Sequence, residues 1–561
     1  MSLSLLIKLP FVNKTIIVNY TVIVGLDPII YFQDTKMIKK TYKLNLLNFA
    51  LALLCVNLLT ITGCANLNSK NNNAPYTPAD TLDYSTINHN LPVIKIISET
   101  GKNDFVEKPK SKVTQNNGWG WGWGEQAPEP YYEKCKITLY KEDGEIDSKV
   151  NDVAGQVKVR GNWTTSYDKK PLRIKFDEKQ SMLGLNKGKA FKSWVLTASY
   201  KDWSFLRDAT AFYMSHLIAP DYYTTDYQLV DVYVNNKYWG VYLLVEQQQT
   251  NKNRINISEP KDNYTGTDIG YLLELDNYSQ YEDYKFDINY LHHLDEKNKD
   301  RIEVHNLTKG YTIKSDIYDN AQVDFISKYM NNLWKICYEA VYEKKFSEFD
   351  ENYAPVEMKF SDDVSLSDDE KILACVSKII DIDSLVNTYI LNEVCCDADI
   401  YWSSFYMDLD FGKNTKRLTF EAPWDFDSAL GNKRHCADAQ GLFAGVSGYD
   451  VNYSQKGYAN PWFIIFINCD WFQKKVKAKW QQIHNDDVLG KLTAQIDEVS
   501  NKYTTNFANN YKRWNNIGNN GSVGNELNSK AAACKTQKEA ANYLKDWLVK
   551  RFQALDSLWL E

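Results

Sequence analysis

The chain has 561 residues, of which 44% are hydrophobic and 24% charged. This composition is typical of a globular protein, and the length predicts several domains or one large domain with insertions. The formal net charge of −7, from 65 basic and 72 acidic residues, lacks the basic character that nucleic-acid-binding proteins normally show. A mean hydropathy of −0.48 excludes a protein that crosses a membrane many times.

The first predicted element is an export signal over residues 37–63. Three lysines near its start precede a mostly apolar run at residues 46–61, and small residues follow before Cys64. This order is typical of a secretory signal. Its ending resembles the lipobox of bacterial lipoproteins, in which Cys64 would carry the lipid and begin the mature chain. A single-pass anchor is the alternative. We interpret residues 1–36 as an over-extended start before Met37.

Residues 64–130 are rich in Asn, Ser, Thr and Pro, which predicts a tether. Within it, residues 91–98 alternate as a strand does, and residues 118–124 alternate Gly with Trp. In an extended strand the tryptophans of this repeat would share one face: Trp119, Trp121 and Trp123. Such a face suits a polysaccharide, and the alternative is a linker that folds onto its own domain.

From residue 131 the predicted elements are mainly strands with period-two alternation. We predict strands at residues 136–140, 156–160, 172–176, 193–197, 229–234, 241–246 and 271–275, and a helix at 204–218. Beyond about residue 320 helices dominate, at residues 321–342, 367–380, 382–394 and in three segments after Trp462, with strands near 404–409 and 417–420. A β-rich part over about 131–280 and a helical part over about 320–561 predict a two-lobed α+β protein.

The clearest acidic motif contains Asp425 and Asp427, just after a predicted strand. Two carboxylates spaced in this way can reach one hard cation from a short turn, and oxygen ligands of this kind suit Mg²⁺. The flanking Trp424 and Phe426 indicate partial burial, and buried carboxylates need a partner or a metal ion. The alternative is a solvated acidic loop.

A second acidic motif, Asp397 and Asp399, lies at the end of a predicted helix, and Ser404 follows it. Carboxylates at the negative end of a helix dipole are unfavourable unless a cation or another compensating partner lies nearby. An exposed acidic loop is the alternative here too.

A basic cluster begins at the end of the predicted strand at residues 156–160 and continues into the strand at 172–176: Arg160, Lys169, Lys170, Arg173 and Lys175. Basic side chains that oppose acids across a cleft would bracket a metal-bound phosphate. The alternative is a set of ordinary charges at strand edges.

Several motifs then occur in a fixed order along the chain, at residues 160–164, 169–176, 194–208, 232–246 and 423–431. Together with the Asp399 motif, they resemble the spore-coat-protein-H-type (CotH) kinase family. The resemblance covers roughly residues 130–561. It implies an atypical protein kinase-like fold, and transfer of the γ-phosphoryl group of ATP to Ser or Thr of secreted or coat proteins, with self-phosphorylation.

The resemblance also implies roles for individual acids. Asp425 would be the main ligand of Mg²⁺, or of Mn²⁺, with Asp427 in support. Asp399 would lie near the substrate hydroxyl as a base or as a second metal ligand. Two positions depart from the family pattern: Asp397 and Ser404 stand where Asn is frequent. Ser404 would be a weaker neutral metal ligand than Asn, which puts the number of metal ions in doubt.

For the nucleotide, the resemblance implies that Lys170 or Lys175 holds the ATP phosphates. Arg160 and Glu246 would belong to the same site, with Glu246 orienting a lysine.

The resulting prediction is an exported, lipid-anchored Ser/Thr protein kinase of the cell envelope that acts on surface or secreted proteins. The alternative is a catalytically impaired kinase-fold adhesin or scaffold that binds polysaccharide through its Trp-rich segment. A hydrolase built on paired carboxylates is a third interpretation, and no glycosidase signature favours it.

Overall fold

A computed structural model describes residues 2–8, 15–21, 29–33, 90–107, 132–161, 163–290, 307–361, 365–413, 416–445, 459–518 and 522–560. The predicted export signal, Cys64 and the Gly–Trp repeat lie outside these residues. The chain divides into two compact units, Met1–Pro78 and Ala79–Glu561. The first contains a three-stranded antiparallel sheet made of β1 (Ser2–Lys8), β2 (Thr15–Thr21) and β3 (Ile29–Gln33).

Seven strands of the second unit close into a barrel: β4 (Val93–Ser98), β5 (Glu133–Tyr140), β6 (Val153–Val159), β7 (Leu172–Gln180), β8 (Phe191–Thr197), β9 (Tyr227–Val234) and β10 (Lys237–Glu246). They follow in the order β10-β8-β7-β6-β5-β4-β9, and the β9–β10 hairpin completes the circle. All neighbours are antiparallel except β4 and β9, which run parallel. Since β4 comes from the segment predicted as a tether, the folded unit begins before residue 131.

The barrel interior is apolar because alternate residues of each strand point to the same side. Val157 of β6 lies opposite Ile174 of β7, which lies opposite Trp194 of β8, and all three are fully buried. On β7 charged residues flank Ile174, and one of them, Lys175, is exposed. The period-two pattern of the sequence therefore predicts which strand residues fill the barrel.

Gly240 shows how closely the helical part approaches the barrel. Its φ of +120° accompanies an irregularity in the β9–β10 pairing, and glycine tolerates this conformation best. A Cβ atom at this position would lie 2.5 Å from the Asn510 side-chain oxygen and 2.8 Å from the Trp514 indole nitrogen. The Asn510 oxygen accepts a hydrogen bond from the Val241 amide at 3.1 Å. A helix thus packs directly against β10.

Helices dominate the rest of the chain: α1 (Asp104–Glu107), α2 (Arg207–Ile218), α3 (Asn320–Tyr338), α4 (Asp368–Ile379), α5 (Ile382–Cys395), α6 (Pro461–Ile464), α7 (Asp470–Asn485), α8 (Val488–Lys502), α9 (Thr504–Trp514), α10 (Ser522–Glu526), α11 (Ser529–Ala533) and α12 (Gln537–Trp559). The predicted β-rich first half and helical second half are confirmed, whereas the kinase-like two-lobed arrangement stays a prediction. None of the helices in the described residues is long and apolar enough to span a bilayer.

The helix predicted at residues 204–218 begins later, at Arg207. The side chain of Asp202 is the reason, because its carboxylate accepts the Ser204 and Arg207 amides at 2.9 and 2.8 Å and holds the intervening residues in a turn.

A second sheet lies among the helices. Its strands are β11 (Gly270–Leu275), β12 (Lys285–Asp287), β13 (Gly310–Ile313), β16 (Phe405–Asp410) and β17 (Thr419–Phe420), in the order β12-β13-β11-β16-β17. A separate hairpin joins β14 (Ser347–Phe349) to β15 (Pro355–Glu357). The strand predicted at residues 271–275 therefore pairs with the strands of the second half rather than with the barrel.

The eight cysteines from Cys135 to Cys534 are all buried free thiols. Their spacing in the sequence shows no zinc motif and leaves their pairing open. Burial raises the pKa of Cys135 to about 12 and that of Cys436 to about 11, so the reactive thiolate is scarce at neutral pH. These cysteines are core residues.

A fully buried ion pair joins α5 to α12. The Arg551 guanidinium lies 2.7 Å from the Glu393 carboxylate, and both side chains are completely inaccessible. Arg551 also donates to the backbone oxygens of Glu393, Ala439 and Gly441. Because Glu393 lies in the last turn of α5, this pair fixes the helix end that precedes Asp397 and Asp399.

We predict that Arg551→Met lowers the free energy of unfolding by about 3–5 kcal/mol, since it leaves the Glu393 charge buried without a compensating positive charge. Urea denaturation at pH 7 measures this. The double variant Arg551→Met/Glu393→Gln should recover part of the loss, because it removes the stranded charge. A double variant no more stable than the single one would contradict this explanation.

Candidate metal centre

The two acidic motifs meet at one point. Asp399, Asp425 and Asp427 each present a carboxylate oxygen, and these oxygens lie within 4.8 Å of one another. Asp427 is buried and the other two are half-buried. Within the described residues, this is the one group of three or more potential ligands that could hold a metal ion together. Three carboxylates at this separation can bind a single hard cation.

The loop after β17 presents Asp425 and Asp427 because its aromatic residues point inward. Trp424 and Phe426 are 7% and 1% exposed, and both ring centroids lie 6.1 Å from that of Phe212 in α2. Asp425 adopts a left-handed backbone with φ of 70°. The alternation of aromatic and acidic residues thus packs the two aromatic side chains into the core and turns the two carboxylates towards the site.

The end of α5 supplies Asp399. Cys396 ends the helix in a left-handed conformation, and the Asp397 carboxylate then accepts the Asp399 amide at 3.0 Å. The Leu430 amide donates to the Cys395 carbonyl at 2.7 Å, which ties the Asp425 loop to the helix end. The turn at the end of α5 and the Leu430–Cys395 hydrogen bond explain why Asp399 and Asp425, 26 positions apart in the sequence, share a site.

Further charged residues surround the three aspartates. Two more buried acids lie beside them, Asp208 and Asp397, and the cations that act on the aspartates are Lys201, Arg160 and Lys433. Burial, and then the charges of Asp427 and Asp399, raise the pKa of Asp425 to about 7. Burial also raises the pKa of Asp208 and of Asp397, and nearby carboxylates add to the effect. Carboxylates outnumber cations here, so the site favours an additional positive charge.

Two of these cations come from one rim of the barrel. Arg160 follows the end of β6 and Lys201 lies shortly after β8, and these strands are both antiparallel to β7 between them. The Lys201 ammonium lies 2.7 Å from Asp427. The Arg160 guanidinium carbon lies over the Trp424 ring, 5.5 Å from its centroid, and Asp425 and Glu274 act on the charge electrostatically. In the described residues its side chain makes no hydrogen bond or ion pair.

Ser404 lies beside the aspartates, with its Oγ 3.5 Å from Asp425 Oδ2. Its backbone amide donates to the Glu274 carboxylate at 2.8 Å, and its φ is 60°. The structure therefore brings together Asp399, Ser404, Asp425, Asp427 and Arg160 of the residues predicted from the sequence.

Three other predicted residues lie elsewhere. The Lys170 ammonium donates to the carbonyls of Thr165 and Tyr167, at 2.9 and 2.6 Å, and so holds a local turn. Lys175 is exposed on the outer face of β7. Glu246 pairs with Arg254 at 2.9 Å, and both are 1% exposed, so it orients an arginine rather than a lysine. These positions correct the expectation that Lys170, Lys175 and Glu246 join the site.

The residue that sequence patterns did not indicate is Lys201. Burial lowers its pKa, but the charges of Asp427, Tyr167, Asp399 and Asp425 outweigh burial and raise it. A single lysine in a loop after a strand gives no pattern of its own. The nearest signal is its position just before the Asp202 motif that caps α2.

A small cavity lies next to Asp397 and Ser404. Asp397, Ser404, Trp424 and Glu421 all line it. The Glu421 carboxylate accepts the Tyr223 amide at 2.7 Å and lies near the buried Asp408, whose pKa is raised by burial and by the charge of Glu421. Burial raises the pKa of Glu421 to about 7.

The family described as CotH kinase protein matches residues 157–555. The chain therefore belongs to the CotH kinase family. The matched region contains both acidic motifs, Arg160 and Lys201. No curated protein matches the chain. Membership of this family indicates a protein kinase-like, phosphotransferase function.

We predict that Glu421→Gln flattens the pH dependence of stability. The folded protein keeps a proton on Glu421 up to about pH 7, whereas the unfolded chain releases it near pH 4–5. Stability should therefore be highest below that range and fall as the pH rises towards 7. The variant should be more stable than the wild type by about 1–3 kcal/mol at pH 8, because glutamine keeps the hydrogen bonds and carries no charge.

Thermal and urea unfolding between pH 5 and pH 8 measure this difference. Glu351→Gln, at an exposed turn, is the matched control and should leave the profile unchanged. An unaltered pH profile in Glu421→Gln would contradict the assignment of the proton to this residue.

Proposed function

We propose that this protein is an exported, lipid-anchored atypical Ser/Thr protein kinase. It would transfer the γ-phosphoryl group of ATP to hydroxyls of surface or secreted proteins, its own among them, with Mg²⁺ or Mn²⁺. The observation that carries the proposal is the convergence of Asp399, Asp425 and Asp427 within 4.8 Å. Export and anchoring through Cys64 are part of the proposal and follow from the signal at residues 37–63.

The donor set suits a hard divalent cation. The ligands are carboxylate oxygens, Ser404 adds a neutral oxygen, and the cluster has more negative charge than its lysine and arginine compensate. Asp425 and Asp427 would hold the ion, and Asp399 would be a further ligand or the base near the acceptor hydroxyl. A bound ion of this kind neutralises charge on the nucleotide phosphates.

Arg160 would bind the phosphates. Its guanidinium lies over the Trp424 ring, next to Asp425, and keeps its donors free in the described residues. Arginine carries a planar set of donors that matches phosphate oxygens, and the neighbouring aromatic ring restrains the side chain. The side chain therefore needs little rearrangement to contact a ligand at the site.

Asp399 would act near the acceptor hydroxyl. Burial raises its pKa, whereas the charges of Lys201 and Lys433 lower it. The net effect raises the pKa of Asp399, which makes its ionised carboxylate a stronger base towards a hydroxyl group.

We predict that Asp425→Asn lowers phosphoryl transfer by about 100-fold or more, because the metal loses a charged ligand. Incorporation of γ-phosphate from ATP, with Mg²⁺ or Mn²⁺, measures this in the full chain and in a generic acceptor protein. Asp177→Asn, an exposed residue on β7, is the matched control and should retain activity. Asp425→Asn should also be no less stable than the wild type, since it removes a carboxylate that its neighbours repel.

Full activity in Asp425→Asn would contradict the metal role. A folded wild type without transfer, with either metal ion, would instead favour the adhesin interpretation. Loss of polysaccharide binding after replacement of Trp119, Trp121 and Trp123 by Ala would then test that interpretation directly.

A further inference from the structure

Lys201 is held at the site by its backbone. Its carbonyl accepts a hydrogen bond from the Asn432 side-chain amide at 3.1 Å, and the same amide donates to the Asp427 carbonyl at 2.6 Å. The next residue, Asp202, forms a buried ion pair with Arg207 and accepts two backbone amides. The Cα of Lys201 is therefore fixed relative to Asp427, and only the side chain is free to change position.

The Lys201 ammonium lies against the same carboxylates that could hold a metal ion. It is 2.7 Å from Asp427, and the two side chains are 6% and 10% exposed. Asp399 and Asp425 also act on it electrostatically. Among the described residues, Asp427 is the one aspartate of the three with an ion-pair partner.

We propose that Lys201 is the resident counter-ion of Asp427 at this site. A divalent cation would displace the Lys201 ammonium from Asp427, and the ammonium would then contact the nucleotide phosphates. This inference rests on the proposed function. A divalent ion and an ammonium that share one carboxylate repel each other strongly in a poorly solvated site. The lysine side chain can move away because its four-carbon stem is flexible while its backbone stays fixed.

Phosphate oxygens supply the new partner. A nucleotide that shares the metal ion brings negative charge to the edge of the same cluster. Lys201 on one side and Arg160 on the other would then bracket the phosphates from a single rim of the barrel. This replaces the role that sequence patterns gave to Lys170 or Lys175.

The static alternative is a structural ion pair that remains closed when ligands bind. Structural contacts of this kind occur near Lys201: Tyr167, which acts on Lys201 electrostatically, donates to Glu526 at 2.7 Å, and Lys433 lies 3.8 Å from the same carboxylate. The two roles differ in what removal of the lysine charge does to metal affinity. A counter-ion competes with the metal, whereas a purely structural lysine supports the metal site.

The test uses the full-length protein and the variants Lys201→Met and Lys201→Arg. Lys192→Met, at an exposed position of β8, is the matched control. Mn²⁺ binding is measured without nucleotide by electron paramagnetic resonance, and binding of Mn²⁺–ATP is measured by calorimetry. Neither readout needs catalysis.

We expect Lys201→Met to bind Mn²⁺ alone about tenfold more tightly than the wild type, and to bind Mn²⁺–ATP at least tenfold more weakly than the wild type. Mn²⁺ should also raise the melting temperature of Lys201→Met more than that of the wild type, because it replaces the missing charge. Lys201→Arg should keep the wild-type affinity for Mn²⁺ alone within about threefold, and Lys192→Met should match the wild type in both measurements.

Equal or weaker Mn²⁺ binding by folded Lys201→Met would overturn the counter-ion role. Unchanged Mn²⁺–ATP affinity would overturn the phosphate contact. If Lys201→Met does not fold, Lys201→Arg decides, because a much weaker affinity for Mn²⁺ alone would indicate a structural lysine. A wild type that binds Mn²⁺ but transfers no phosphate would refute the proposed function, and the Mn²⁺ affinities of the variants would still decide whether Lys201 is a counter-ion.

Discussion

Bringing three aspartates within reach of one another is unfavourable, because burial and mutual repulsion both oppose their ionisation. The surrounding fold holds them in place despite this. Arg551 and Glu393 fix the end of α5, and the Leu430 amide ties the second motif to it. The aromatic residues Trp424 and Phe426 anchor the loop in the core. The free energy that holds these carboxylates together comes from apolar packing and backbone hydrogen bonds elsewhere, which is a common property of functional sites.

The site combines two parts of the chain with different structures. The aspartates come from irregular segments after a helix and a short strand, whereas Arg160 and Lys201 come from the rim of a closed barrel. A barrel is a rigid support, because each strand is hydrogen-bonded on both sides. The acidic loops are instead held by individual side-chain contacts such as that between Asn432 and Lys201. The geometry of the cations is thus set by a sheet, and that of the acids by a network of hydrogen bonds.

Local patterns predicted much of this arrangement. The aromatic residues beside Asp425 indicated partial burial of this motif, and period-two alternation indicated the strand at residues 172–176. Lys201 was not predictable in this way, because its partner Asp427 is 226 positions away in the sequence and no periodicity marks the contact. Glu246 failed for a related reason, since Arg254 reaches it from an irregular segment eight residues further on. Pairings through loops depend on tertiary structure, whereas burial along a strand depends on local spacing.

The parallel pairing of β4 with β9 has a consequence for the boundaries of the folded unit. The family match begins at residue 157, inside β6, so β4 and β5 lie upstream of it. A chain trimmed to residues 157–555 would lose both strands, and the circle of hydrogen bonds would open at β9 and at β6. Open edges with unpaired amides and carbonyls associate readily with other chains. The shortest soluble form of this protein should therefore start before Val93, even though that stretch carries none of the family's motifs.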